Sequence, residues 1–179
     1  MEGGACGCCG LETLVDSKAR LQILYRAAGA MIHRDAMWMT IGSQGAPAPV
    51  RLQSWELPAC PMTTFPRWPS RRTASSRPRE TRQQIYSAVL KPDSGEVSTI
   101  TPVEGSAIRK HPSVAINAAG DRLIAWTEGT AWARAGTVAW ELRDRSGVTL
   151  AAKANAGTVP VWGLVSALVR KDGSFLILH

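Results

Sequence analysis

The chain has 179 residues, 45% hydrophobic and 20% charged, which is enough for a real core and argues against wholesale disorder. The net charge of +7 suggests nucleic acid at first sight, but six Arg and one Glu between Arg67 and Arg82 account for +5 of it. The basic character is local and no repeated basic face or aromatic ladder accompanies it, so specific nucleic-acid binding is not expected. No run reaches the ~18–20 apolar residues that span a membrane as a helix, and the first residues hold no basic region followed by an apolar one, as a secretory leader would.

Taken in chain order, the apolar pattern is one of short strands. Three of the four cysteines lie close together near the start of the chain, Cys6, Cys8 and Cys9, with Cys60 standing apart. Adjacent Cys8 and Cys9 are poorly placed to bond to each other. Disulfides in an oxidising compartment, free thiols, or a thiolate metal site with His33 or Met62 as further donors all remain open, and the spacing is not the C-x-x-C of a zinc site. Thr13-Leu14-Val15, the turn-like Asp16-Ser17-Lys18 and the alternating run 20–27 predict a hairpin. Residues 37–41 and 50–55 are the next strand candidates, separated by Gly42-Ser43-Gln44-Gly45.

Residues 63–82 break the pattern. They are rich in Arg, Ser and Thr, hold Pro66, Pro69 and Pro78, and have no period-two apolar run. A basic interaction loop and a linker both fit this composition. Strands resume at 84–90 and 97–103 around Lys91-Pro92-Asp93-Ser94-Gly95, then at 112–117, 122–127, 137–142 and 148–151. The last hairpin, 162–169 and 174–178, is marked by Asp172-Gly173. Strand–turn–strand units with an acidic or Ser residue just before Gly recur at Asp93-Ser94-Gly95, Asp144-Arg145-Ser146-Gly147 and Asp172-Gly173. The chain divides into blade-like β segments over 1–62, the irregular stretch 63–82, and blade-like β segments over 83–179. The fold class predicted is all-β: a partial β-propeller of antiparallel meander blades, with a β-sandwich as the alternative.

Several phrases resemble the C-terminal half of the bacterial sialidase-like proteins with BNR (Asp-box) repeats, which are six-bladed propellers. They are G-G-A-C-G-C-C-G at 3–10, L-Y-R-A-A at 24–28, H-R-D at 33–35 and S-W-E-L-P-A-C-P-M at 54–62. R-K-H-P-S-V-A-I at 109–116, L-I-A-W-T-E-G at 123–129, V-P-V-W at 159–162 and D-G-S-F-L-I-L at 172–178 continue the likeness. The Asp box itself, S-x-D-x-G-x-T-W, is nowhere intact. The resemblance implies an exported parent, extracellular or periplasmic, with Met1 internal to a longer protein. It also implies an apolar strand where the Arg/Pro stretch stands, so a pair of compensating frameshifts, or a sequencing error, across roughly 65–79 is expected.

For function, the resemblance implies a carbohydrate-directed propeller, either an exo-sialidase-like hydrolase or a non-catalytic relative, with a glycan ligand. In such hydrolases three Arg clamp the substrate carboxylate through paired hydrogen bonds, a Tyr/Glu pair supplies the nucleophile and an Asp is the general acid/base. Arg26, Arg34 and Arg109 are the clamp candidates, and Asp35 is the acid candidate, with an ordinary Arg34–Asp35 charge pair as its rival. Tyr25 alternates away from Arg26 on a strand, no Tyr/Glu pair stands out, and the Arg-Ile-Pro phrase that opens such catalytic domains is absent. His111, in a polar cluster at a strand start, and Trp132, in the 129–136 loop, are candidates for ligand contact. Trp126 and Trp140 lie in apolar strands and are assigned to packing. No G-x-S-x-G elbow, phosphate loop or dinucleotide fingerprint occurs, and no cofactor is expected. A binding or scaffold propeller without chemistry fits the same residues.

Overall fold

The computed structural model describes residues 12–28, 34–45, 48–53, 75–76, 79–81, 84–91, 93–98, 101–103, 105, 108–130, 133–161 and 163–179. Among these, every regular element is a β-strand and every pairing is antiparallel, as the period-two patterning and frequent turn signals predict. The cysteines, His33, Trp132 and most of 63–82 lie outside the described residues.

The first sheet is a meander of β1 (Glu12–Val15), β2 (Leu21–Ala28), β3 (Arg34–Ile41) and β4 (Val50–Gln53), paired in that order. The predicted first hairpin is β1–β2. Asp16 closes its turn, Oδ1 accepting from the backbone N–H of Lys18 at 2.9 Å and of Arg20 at 3.0 Å. Strand β3 starts three residues before the predicted Met37, because the polar start Arg34-Asp35 is carried along by pairing with Ala27 and Ala28.

The second unit runs through β5 (Ser75–Ser76), β6 (Arg79–Thr81), β7 (Gln84–Ser87), β8 (Val89–Lys91), β9 (Glu96–Val97) and β10 (Thr101–Pro102). Its pairs Ser75↔Leu90, Arg79↔Tyr86 and Thr81↔Gln84 share one register, so β5 and β6 flank β7 and β8 as a single interrupted edge. The described part of 63–82 is thus paired strand.

The third sheet is the largest, with β11 (Arg109–Ile116), β12 (Arg122–Glu128), β13 (Gly136–Arg143) and β14 (Thr149–Val159) in sequential order. A final hairpin, β15 (Ser166–Val169) with β16 (Phe175–Leu178), follows. Strand β14 extends eight residues past the predicted end at Ala151. Its exposed, Ala- and Lys-bearing sequence has no alternation to read, and its strand conformation comes from hydrogen bonding to β13.

These units pack face to face in chain order. Leu24 and Trp38 of the first sheet meet Leu90 of the second. On β12 the alternation splits the side chains cleanly. Ile124 and Trp126 join Val114, Ala139, Ile85 and Val103 between the second unit and the third sheet. Leu123 and Ala125 join Ala115, Val138, Val159, Val165 and Ala167 beneath the final hairpin. Fully burying a Leu, Ile or Val side chain is worth about 1.5–3 kcal/mol, so these layers carry the stability. The polar intruder, Gln22, is satisfied: its Oε1 accepts from Trp38 Nε1 (2.9 Å) and Thr40 Oγ1 (2.7 Å), and its Nε2 donates to Asp16 (2.9 Å).

The units also share polarity. Asp93 of the β8–β9 turn contacts Lys18 (2.8 Å) and Arg20 (2.6 Å) at the β1–β2 turn. Asn117 of the β11–β12 turn donates to the Gly173 carbonyl (3.3 Å) of the β15–β16 turn. One end of the stack therefore gathers the β1–β2, β8–β9, β11–β12, β13–β14 and β15–β16 turns, and β2, β10, β12, β14 and β16 finish at the other, the connection end.

Candidate functional site

The connection end carries the densest buried polar cluster among the described residues. Arg109 opens β11 directly opposite Glu128, the last residue of β12. Alternation sets Trp126 two residues from Glu128 on the same face. Glu128 Oε1 accepts from Arg109 Nε at 3.2 Å and from Trp126 Nε1 at 2.9 Å. Arg109 Nη1 donates to the Val103 carbonyl at 2.6 Å, and its guanidinium carbon lies 4.9 Å from the Trp126 ring centroid. Gly105, at φ 128°, makes room: a Cβ there would stand 2.0 Å from Arg109 Nη2. Arg109 is 6% exposed. Its charge is matched and its face covered, so it has no open donor edge for an incoming carboxylate.

His111 sits in the bulge that separates Lys110 from Ser113 in the β11–β12 register. Pro112 accounts for the bulge, since it has no N–H to give a ladder. His111 takes φ 53°, one of three non-glycine residues with positive φ among the described residues. Its Nδ1 lies 3.2 Å from the Gly163 carbonyl and 3.4 Å from Thr127 Oγ1, whose hydroxyl donates to the Lys110 carbonyl (3.0 Å). Burial pushes the imidazole below the usual histidine value; the Gly163 carbonyl pulls the other way and the Lys110 charge adds to the lowering. The Nδ1–H tautomer fits the Gly163 carbonyl, which fixes the neutral ring in one orientation.

Beside this cluster, Ile108, Glu128, Gly129 and residues 134–137 line an open depression of about 490 Å³. Arg134 Nε donates to the Gly129 carbonyl (2.6 Å), which holds the near side of the loop that contains Trp132 in sequence.

Asp35 pairs with Arg51 Nε of β4 at 2.8 Å, so its ionic partner lies across the sheet, and its Oδ1 is buried with no hydrogen-bond partner among the described residues. Arg26 and Arg34 occupy the end of β2 and the start of β3, paired with Ala36 and Ala28; their side chains lie outside the described residues, as do Trp132, Cys6, Cys8, Cys9 and Cys60. By backbone position Arg26, Arg34, Asp35, Arg109 and His111 all fall at the connection end of their sheets. Sequence reasoning missed Glu128. Its signal was present in the Trp126-x-Glu128 spacing, once Arg109 is recognised as the facing residue.

No protein-family model matches the chain, and no curated protein matches it in sequence.

Proposed function

We propose that the chain is a section of a sialidase-like β-propeller from an exported parent, working as a non-catalytic binding and scaffold module. The chain-order stack of meander sheets, with tight turns gathered at one end, supports a propeller over a two-sheet sandwich. The observation that carries the non-catalytic reading is the state of Arg109. A substrate clamp must offer its donor edge to solvent, whereas this guanidinium is neutralised by Glu128, bonded to Val103 and stacked on Trp126. A carboxylate substrate would have to displace Glu128 from a site that is 6% exposed.

A catalytic reading draws on the shared connection-end position of Arg26, Arg34, Asp35 and Arg109. Hydrolysis of a fluorogenic sialoside by the purified chain separates the two, run beside sialyllactose binding by calorimetry. The non-catalytic module gives no turnover. Turnover that disappears in Arg109→Lys would overturn the proposal.

A further inference from the structure

We propose that Arg122, with Arg143 opposite it, forms a binding site for a small tetrahedral oxyanion, sulfate or phosphate, at the turn end of the third sheet. This site is independent of the connection-end cluster and lies at the other end of the same strands. Arg122 opens β12 and Arg143 closes β13, and the register sets them directly opposite each other. Like charges opposed across an antiparallel pair are destabilising unless countered. Arg143 is countered: its Nε and Nη2 donate to Glu141 Oε1 and Oε2 at 2.9 and 3.0 Å.

Arg122 has no such partner among the described residues. Its Nε is buried without a hydrogen bond, and its Nη2 reaches only the Asp144 carbonyl, at 3.5 Å. The nearby carboxylates are engaged elsewhere. Asp144 Oδ1 accepts from the Ser146 hydroxyl (2.7 Å) and from the N–H groups of Gly147 (2.8 Å) and Val148 (2.9 Å). Asp121 Oδ2 accepts from Asn117 Nδ2 (3.1 Å), and Glu141 is held by Arg143 and the Thr149 hydroxyl.

The result is a half-buried guanidinium whose Nε finds no acceptor among the described residues. Guanidinium groups in this condition bind oxyanions through paired, charge-assisted hydrogen bonds. Gly147, at φ 98°, keeps the approach low; a Cβ there would lie 3.3 Å from Arg122 Nη2. Arg145 of the same turn packs its stem over Gly120, its Cγ 3.1 Å from where a Cβ would be.

The test uses the full chain, with sodium sulfate titrated against sodium chloride at equal ionic strength. Thermal unfolding and the arginine Nε–Hε resonances are followed together. The expected result is a saturable rise in Tm with sulfate and a matching shift of the Arg122 Nε–Hε signal. In Arg122→Met the sulfate response should weaken about tenfold or more, the loss expected for a hydrogen bond to a charged group. An undiminished sulfate response in Arg122→Met overturns the proposal, as does an identical response of the wild type to chloride. If Arg122→Met fails to fold, the wild-type spectrum decides alone: an Arg122 signal indifferent to sulfate overturns the site.

Discussion

Arg109 and Trp126 donate to the same carboxylate oxygen, Glu128 Oε1, while the guanidinium carbon of the one lies 4.9 Å from the ring centroid of the other. The three side chains form one unit across the first two strands of the third sheet, and its members depend on each other for charge compensation.

That dependence predicts an asymmetry between single and double substitutions. The side chains of Arg109 and Glu128 are 7% and 15% exposed, so removing Glu128 leaves a buried cation without a partner. Glu128→Ala should cost about 3–5 kcal/mol, and the Arg109→Met/Glu128→Met double variant much less, because no charge is then stranded. Trp126→Phe keeps the ring but loses one hydrogen bond, and should cost about 1 kcal/mol. Urea denaturation checks all three, with an unchanged m-value required for the comparison.

Glu141 makes a pH prediction. Burial by itself would raise its carboxyl, but hydrogen bonds from Arg143 and Thr149 outweigh that and hold it below the usual glutamate value. The folded state then binds the proton less well than the unfolded state. Its contribution is fully present above the unfolded value of about 4.3 and is lost as pH falls through the lower folded value. Glu141→Gln should therefore flatten the acid limb of a Tm-against-pH curve below about pH 4.3. An unchanged acid limb would count against this pairing.

How far the sequence could be read follows from where alternation survives. The hairpins β1–β2, β11–β12 and β15–β16 are legible because one or both faces are buried and Asp or Gly marks the turn. Strand β14 is not, because its side chains are mostly exposed and only pairing to β13 holds it extended. The start of β11 is read too late because Pro112 looks like a boundary, whereas the sheet absorbs it as a bulge. At the site, Arg109 and His111 are legible as a polar cluster at a strand start, but the partner that neutralises Arg109 lies 19 residues away. Cross-strand register decides that pairing, and no local pattern carries it.

His111 predicts a second pH effect. Its imidazole is held below the ordinary histidine value by burial and by Lys110, despite the Gly163 carbonyl. For a base with a lowered folded value, the unfolded chain takes the proton first as pH drops. Stability is intact above the unfolded value of about 6.5, and falls as pH drops from there to the folded value. His111→Asn tolerates the positive φ and cannot titrate. It should remove the fall in Tm that the wild type shows as pH drops below about 6.5. A variant that keeps the full fall would place the titrating group elsewhere.

Two glycines separate steric need from conformational need. A Cβ at Gly136 would stand 2.3 Å from the Glu128 backbone carbonyl oxygen and 2.8 Å from the Thr130 backbone nitrogen, atoms that cannot swing away. Gly173 meets nothing within 4 Å, but its φ is 86°. Gly173→Ala should therefore cost only the left-handed backbone penalty, about 1–2 kcal/mol. Gly136→Ala must push β12 and β13 apart where Glu128 pairs with Thr137, which also pulls Glu128 from Arg109. Its cost should exceed that of Gly173→Ala, and amide hydrogen exchange should accelerate at Glu128 and Thr137 while the β15–β16 hairpin stays protected. Equal costs for the two variants, or exchange spread evenly over both sheets, would mean that the close approach at Gly136 relaxes freely and does not fix the connection end.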